Sequence, residues 1–290
     1  MRIKLGCVPC YVNQAMEAAE YAEMEEEDRW DTVQSVCKEL AEIDRSQPSA
    51  RVGQKVHKIV RDHADTNDPY EEQKRKSNSG ARQYLAEFRE LVQESEEPLL
   101  RAARLATAGN AVDFGPSREF DIETALRRGY EEKFQISDWP DFSSDLKEAK
   151  DLLYFTDNSG EIIYDELFIE LLLDRTGLAE IDLVVKDGPF LNDVTEKDLN
   201  SLEITENDRV GVRTVDNGDG GDSPRLWSST VKGWLDEYDL VVSKGQANYE
   251  GLSEYDRGNL YFFLTVKCDL VAGDVGSAEG SKVAVKSTKT

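Results

Sequence analysis

The chain has 290 residues, enough to bury a substantial core in one large domain or two. Its 35 Lys+Arg stand against 59 Asp+Glu, and the resulting net charge of -24 disfavours nucleic acid and anionic membrane as partners. No run approaches the roughly 18 apolar residues of a membrane span, and the apolar part of the N-terminus is too short for a signal peptide, so a soluble, cytoplasmic protein is expected.

The N-terminal "MRIKLGCVPC" holds Cys7 and Cys10 at C-x-x-C spacing, with the other cysteines, Cys37 and Cys268, far away in sequence. In a cytosolic chain this spacing suits a metal-ligand pair or a redox pair better than a secreted disulfide frame. Two buried thiols at a helix start are the plainer alternative. "QAMEAAEYAEMEEEDRWDTVQSVCKELAEI" follows, rich in Ala, Glu and Met with apolar residues three and four apart, and predicts helix with Cys37 on its buried face. A break at Ser46-Gln47-Pro48-Ser49 separates it from a short amphipathic helix, "ARVGQKVHKIVRDHADTNDPY", that ends in the turn cluster Thr66-Asn67-Asp68-Pro69. "EEQKRKSNSGARQYLAEFRELVQES" and "PLLRAARLATAGNAV" continue the helical pattern. His57 and His63 within this region read as satisfied or exposed helix residues rather than ligands.

The texture changes near Asp113-Phe114-Gly115-Pro116. Beyond it lie the β-rich runs "DLLYFT", "IDLVVKD", "RVGVRTV", "LVVSKG" and "LYFFLTVK", most of them continuously apolar, as in strands covered on both faces. Helical segments at 161–174, 196–202 and 229–238 separate several of these runs. The alternation predicts an α/β fold: a Rossmann-like three-layer domain with a mostly parallel sheet over 113–290, preceded by an all-helical N-terminal domain over 1–112.

In such sheets ligands bind beyond the carboxyl ends of the strands, so the loops there carry the functional argument. After the first long strand comes Asp157-Asn158-Ser159-Gly160-Glu161, and after the second comes Lys186-Asp187-Gly188-Pro189-Phe190-Leu191-Asn192-Asp193. The third is followed by the Gly-Asp repeats of 216–222, and the fourth by Lys244-Gly245-Gln246-Ala247-Asn248-Tyr249. These loops hold carboxylates, amides, hydroxyls, glycines and two lysines, without histidine or cysteine. Oxygen donors of this kind suit a hard divalent cation, and glycines before a helix start suit phosphate. Each piece alone also reads structurally: Asp157 or Asn158 as a helix cap, Asn192-Asp193 as a turn, 216–222 as a mobile surface loop, Lys244-Gly245 as a strand end.

"TDNSGEIIYDELF", "KDGPFLNDVT", "SKGQANYEGL" and the late "VKC", in that order, resemble the signature blocks of the damage-control phosphatase family, which is related to proteins described as acidic-residue methyltransferases. "CVPC" and "AGNAVDFG" (108–115) fit the branch with an N-terminal C-x-x-C and a C-terminal Lys-Cys. The resemblance implies helices packed on a Rossmann-like part. It also implies a divalent cation (manganese, nickel or magnesium) held by Asp157, Asn158 and Asp193, and a phosphorylated small metabolite as substrate. In this reading Lys244 clamps phosphate as a point charge, while the amides of Ser159, Gly160 and Glu161, with Gly245 and Asn248, face the phosphate or complete the metal shell. Metal-activated water is the simplest nucleophile. The resemblance also couples Cys7, Cys10 and Cys268, as a structural metal site, a redox-sensitive group or a buried thiol cluster. A carboxyl methyltransferase remains an alternative, although "DNSGEIIYD" lacks the glycine-rich turn its cofactor requires, and so does a non-catalytic phospholigand-binding module. The even spread of acids suggests a protein suited to a high-salt cytoplasm.

Overall fold

A computed structural model describes residues 1–109 and 122–287. The sheet is built around β2 (Asp151–Phe155), whose residues Leu152 to Phe155 are almost completely buried. Leu152 and Tyr154 face one core, while Leu153 and Phe155 face the other. This is the period-two alternation of a strand, and because both faces are covered it appears in the sequence as an unbroken apolar run.

The other strands are β1 (Ile136–Ser137), β3 (Glu180–Lys186), β4 (Val210–Val215), β5 (Leu240–Lys244), β6 (Leu260–Thr265) and β7 (Lys282–Lys286). They form one sheet in the order β1-β7-β6-β5-β2-β3-β4, parallel except for the β6–β7 pair. The five expected runs correspond to β2 to β6. Strands β1 and β7, at one side of the sheet, are additional to these runs; β1 is only two residues long, and β7 ("KVAVK") is short with a lysine at each end.

Helices cover both faces, giving the three-layer α/β architecture. α4 (Glu71–Gln93), α5 (Pro98–Ala108), α7 (Trp139–Glu148) and α8 (Ile162–Arg175) supply Phe88, Leu105, Phe142 and Phe168 to the larger core. The opposite face is covered by α10 (Ser229–Glu237), α11 (Gln246–Leu252) and α12 (Asp269–Val275) through Val231, Leu235, Tyr249, Leu252 and Val271. α6 (Ile122–Glu131) packs with α5, and the short α9 (Glu196–Leu199) follows the loop after β3. Thr195 and Asp198 close a reciprocal capping box on α9.

α1 (Cys7–Tyr21), α2 (Glu26–Ala41) and α3 (Ser49–His63) share a separate core of Ala15, Ala18, Val36, Leu40, Val52, Val56 and Val60. Cys37 does not belong to it. The buried stripe of α2 runs through Thr32, Val36 and Leu40, and the next residue round the helix is turned to solvent. Of the two histidines, His57 is buried with Nε2 3.2 Å from Gln14 Oε1, and His63 is exposed. The expected domain boundary at 112/113, and Asn110 to Gly115 of the "AGNAVDFG" block, lie outside the described residues. No helix among the described residues is long and apolar enough to cross a membrane.

Candidate functional site

From β2 the chain moves to β3 and β4 on one side and returns to β5 on the other, while α8 and α11 cover opposite faces. The carboxyl ends of β2 and β5 therefore flank a topological switch point, where open α/β sheets form a crevice. Asp157 leaves one of these strands and Gly245 the other.

Backbone hydrogen bonds clip the loop after β2 to the loop after β3. Thr156 donates N–H and Oγ1–H to Val184 O at 3.1 and 2.9 Å. Val194 N–H donates to Asp157 O at 2.9 Å, and Ser159 N–H to Asn192 O at 2.9 Å. Asn158 and Asp193 form an antiparallel bridge between these bonds. The second loop turns tightly before it arrives: Asp193 N–H donates to Phe190 O at 3.0 Å, and Leu191 holds a left-handed φ of 49°. α3 supports it from outside, with the His57 ring edge-on to Phe190 at 5.3 Å.

Asp157, Asn158 and Asp193 are thus brought together, each about nineteen-twentieths buried, at 5%, 7% and 5% exposure. Asn158 Nδ2 donates to Asp157 Oδ2 at 2.7 Å. Burial pushes the Asp193 carboxyl up to about 7; the Lys186 ammonium opposes that shift and the Asp157 charge reinforces it. Lys186 Nζ lies 3.6 Å from Asp193 Oδ2. Asn248 donates Nδ2–H to Thr156 O at 2.7 Å and to Lys244 O at 2.9 Å, tying the ends of β2 and β5 together. Thr156, Asp157, Lys186, Asp193 and Asn248 line one polar cleft.

Gly245 is required by geometry. Its φ is +79°, and a Cβ there would sit 2.0 Å from Asp157 Cγ and Oδ2. Only a residue without a side chain lets β5 pass this close to the carboxylate.

Lys244 is placed differently from its expected role as a phosphate clamp. The side chain turns into the core at 1% exposure, donating to Glu161 Oε1 at 2.5 Å, Asp165 Oδ1 at 2.6 Å and Ala106 O at 3.2 Å. All three ammonium hydrogens are engaged. Tyr154 Oη donates to Asp165 Oδ1 at 2.6 Å, while Glu161 Oε2 and Asp165 Oδ2 have no hydrogen-bond partner among the described residues. Burial raises both carboxyls against the opposing pull of Lys244. The amide of Gly160 is likewise engaged, donating to Asn78 Oδ1 at 2.6 Å.

The loop 216–222, expected as a surface loop, is exposed over 219–222 and carries several hydrogen bonds. Asp216 Oδ1 accepts from Gly218 and Gly220 N–H at 2.8 and 3.3 Å, Asn217 N–H donates to Asp187 Oδ1 at 2.8 Å, and Gln54 Nε2 reaches Asp216 O at 2.9 Å. Arg61 of α3 pairs with Asp219 at 2.5 Å.

Cys7, Cys10 and Cys268 come together electrostatically, joining the two ends of the chain. Cys10 is exposed and the other two are half-buried, so this is not a sealed thiol core. Burial nevertheless raises the Cys7 and Cys10 thiols. Among the described residues no group of three or more His, Cys, Asp or Glu is arranged to hold a metal. The donors around Asp157 differ in kind, being two carboxylates and carboxamides, and this hard oxygen set fits a divalent cation such as manganese or magnesium.

The model of the damage-control phosphatase ARMT1-like domain matches residues 3–283. The chain belongs to this family. It is 32% identical over 99% of its length to an uncharacterized protein of Methanocaldococcus jannaschii, of which it covers 96%. It is 31% identical to a damage-control phosphatase of Archaeoglobus fulgidus, with 98% of this chain and 99% of that one covered. The crystal structure of a DUF89 family protein from Pyrococcus horikoshii superposes with a TM-score of 0.87 at 26% identity, covering 99% of this chain and all of that one. Membership of the damage-control phosphatase family supports phosphatase activity in general.

The sequence analysis did not single out Asp165 or Asn78, and it placed Lys186 on the rim without giving it a role. Lys186 ends a strand in the same loop as Asp193, a detectable signal. Asp165 lies four residues after Glu161, hence one helical turn away on the same face. Asn78 gave no local signal, because only tertiary packing brings α4 to Gly160.

Proposed function

We propose that the protein is a metal-dependent phosphoric monoester hydrolase acting on small phosphorylated metabolites such as sugar phosphates, nucleotides or damaged side products. The observation that carries this reading is the convergence of Asp157, Asn158 and Asp193 at the switch point of the sheet. These three residues would hold the cation, whether manganese, nickel or magnesium. It would supply Lewis acidity toward the phosphoryl oxygens and the attacking water.

The chain's own contribution is preorganisation. The Asn158–Asp193 bridge and the Val194-to-Asp157 bond fix both loops before any ligand arrives, so little reorganisation remains at the moment of reaction. Asn248 holds β2 and β5 in register, and its carboxamide oxygen accepts no bond from the described residues, leaving it for the cation or the substrate. Gly245, lacking a side chain, leaves room for the Asp157 carboxylate itself. Lys244 acts from beneath, balancing the charge of Glu161 and Asp165 and so holding the corner where α8 begins.

The test is hydrolysis of p-nitrophenyl phosphate and a panel of sugar phosphates across a series of divalent cations. Asp157→Ala and Asp193→Ala are expected to lose activity while unfolding at temperatures close to the parent's. Full turnover by both variants would overturn the assignment.

A further inference from the structure

The proposed chemistry needs a positive group that can reach a phosphoryl oxygen, and of the lysines in the loops after β3 and β5 the sequence favoured Lys244. Lys244 is sealed at 1% exposure, and its three hydrogens are used by Glu161, Asp165 and Ala106. Turning it toward the cleft would leave two buried carboxylates without their cation, a heavy penalty.

Lys186 is in the opposite position. It ends β3, lines the cleft with Asp157, Asp193 and Asn248, and its side chain is 12% exposed. Its contacts among the described residues are a loose ion pair to Asp193 Oδ2 at 3.6 Å and a cation–π approach to Phe190 at 6.0 Å. At 3.6 Å the ammonium lies beyond good hydrogen-bond distance, so its hydrogens remain to be given. Its base is fixed, because Lys186 N–H donates to Val194 O at 2.9 Å, beside the Asn158–Asp193 bridge. The backbone is therefore anchored beside the bridge, and the flexible four-carbon stem carries the ammonium to the cleft.

From this geometry we infer that Lys186 is the residue that grips the transferring phosphoryl group, and that its pairing with Asp193 is the resting position of that same ammonium. The inference rests on the phosphatase reading. When Asp193 is engaged as a ligand, the ammonium turns to an equatorial phosphoryl oxygen, where negative charge accumulates during transfer. No covalent bond to Lys186 forms or breaks.

The experiment measures binding as well as turnover. Calorimetric titration with inorganic phosphate in saturating manganese, and separately with manganese alone, is carried out on the parent protein, Lys186→Met and Lys186→Arg. Loss of one charge-assisted contact predicts a roughly 10- to 100-fold weaker phosphate affinity for Lys186→Met. Manganese affinity is expected to rise severalfold, since the ammonium no longer competes for Asp193. Lys186→Arg keeps the charge and retains phosphate binding within about tenfold; should the Met variant fail to fold, a loss in Arg beyond about a hundredfold decides against the inference. Unchanged phosphate affinity in Lys186→Met, or manganese affinity falling along with it, overturns the proposal while leaving the phosphatase reading in place. A parent protein that binds manganese but neither binds nor releases phosphate overturns both.

Discussion

Gly245 and Asp157 occupy the same space from opposite sides of the switch point: a Cβ added to Gly245 would lie 2.0 Å from the Asp157 carboxyl carbon. The two strands that carry them are neighbours in the sheet, paired from Leu152–Leu240 to Phe155–Ser243. Placement of the carboxylate thus depends on the absence of a side chain on the adjacent strand.

Gly245→Ala is therefore expected to displace Asp157 and also to strain the backbone at φ +79°. The strain alone costs on the order of 1–3 kcal/mol. The expected outcome is lost phosphatase activity together with a lower unfolding midpoint, checked by p-nitrophenyl phosphate assay and thermal unfolding. An active, equally stable variant would mean that the carboxylate is not held where it is described.

Lys244→Met removes the cation between Glu161 and Asp165, both fully buried. Breaking a buried ion pair from one side costs about 3–5 kcal/mol. Urea unfolding should show a loss of this size, and Lys244→Met combined with Glu161→Gln should recover part of it.

Asp193 bears on pH. Its carboxyl is pushed up to about 7 by burial, with Asp157 adding to the effect. A cation bound by Asp193 must displace that proton, so manganese affinity should weaken as pH falls below about 7 and level off above it. Titrations from pH 5.5 to 8 on the folded protein check this; a flat profile argues against Asp193 as a ligand.

His57 acts on stability with a different window. Burial pulls it down to about 3 in the folded chain, against an unfolded value of 6.5. The unfolded state binds the extra proton between these values, so stability is fully present above about pH 6.5 and falls as pH drops toward 3. A His57→Gln variant that still folds should show a shallower loss over that range, measured by denaturant unfolding.

The net charge of -24 predicts salt dependence. The screening length shortens from about 10 Å at 0.1 M to about 3 Å at 1 M salt, so the unfolding midpoint should rise between low salt and molar potassium chloride. A midpoint that does not rise would remove the high-salt reading.

Much of the architecture was present in local pattern. The runs at Leu152–Phe155, Ile181–Val185, Leu240–Val242 and Leu260–Leu264 read as strands covered on both faces, and the loops after them read as one rim rich in acids and amides, within which the family resemblance singled out Asp157, Asn158 and Asp193. Hydrophobic periodicity and loop composition are properties of neighbouring residues, so one chain read alone suffices for them. Tertiary structure alone decided which rim residues point into the cleft and which into the core. Lys186 and Lys244 both end strands, yet one lines the cleft and the other is sealed beneath it by Glu161 and Asp165. That difference depends on partners far apart in sequence, from Ala106 on α5 to Asp165 on α8, and on the desolvation cost that makes a buried ammonium keep every one of them.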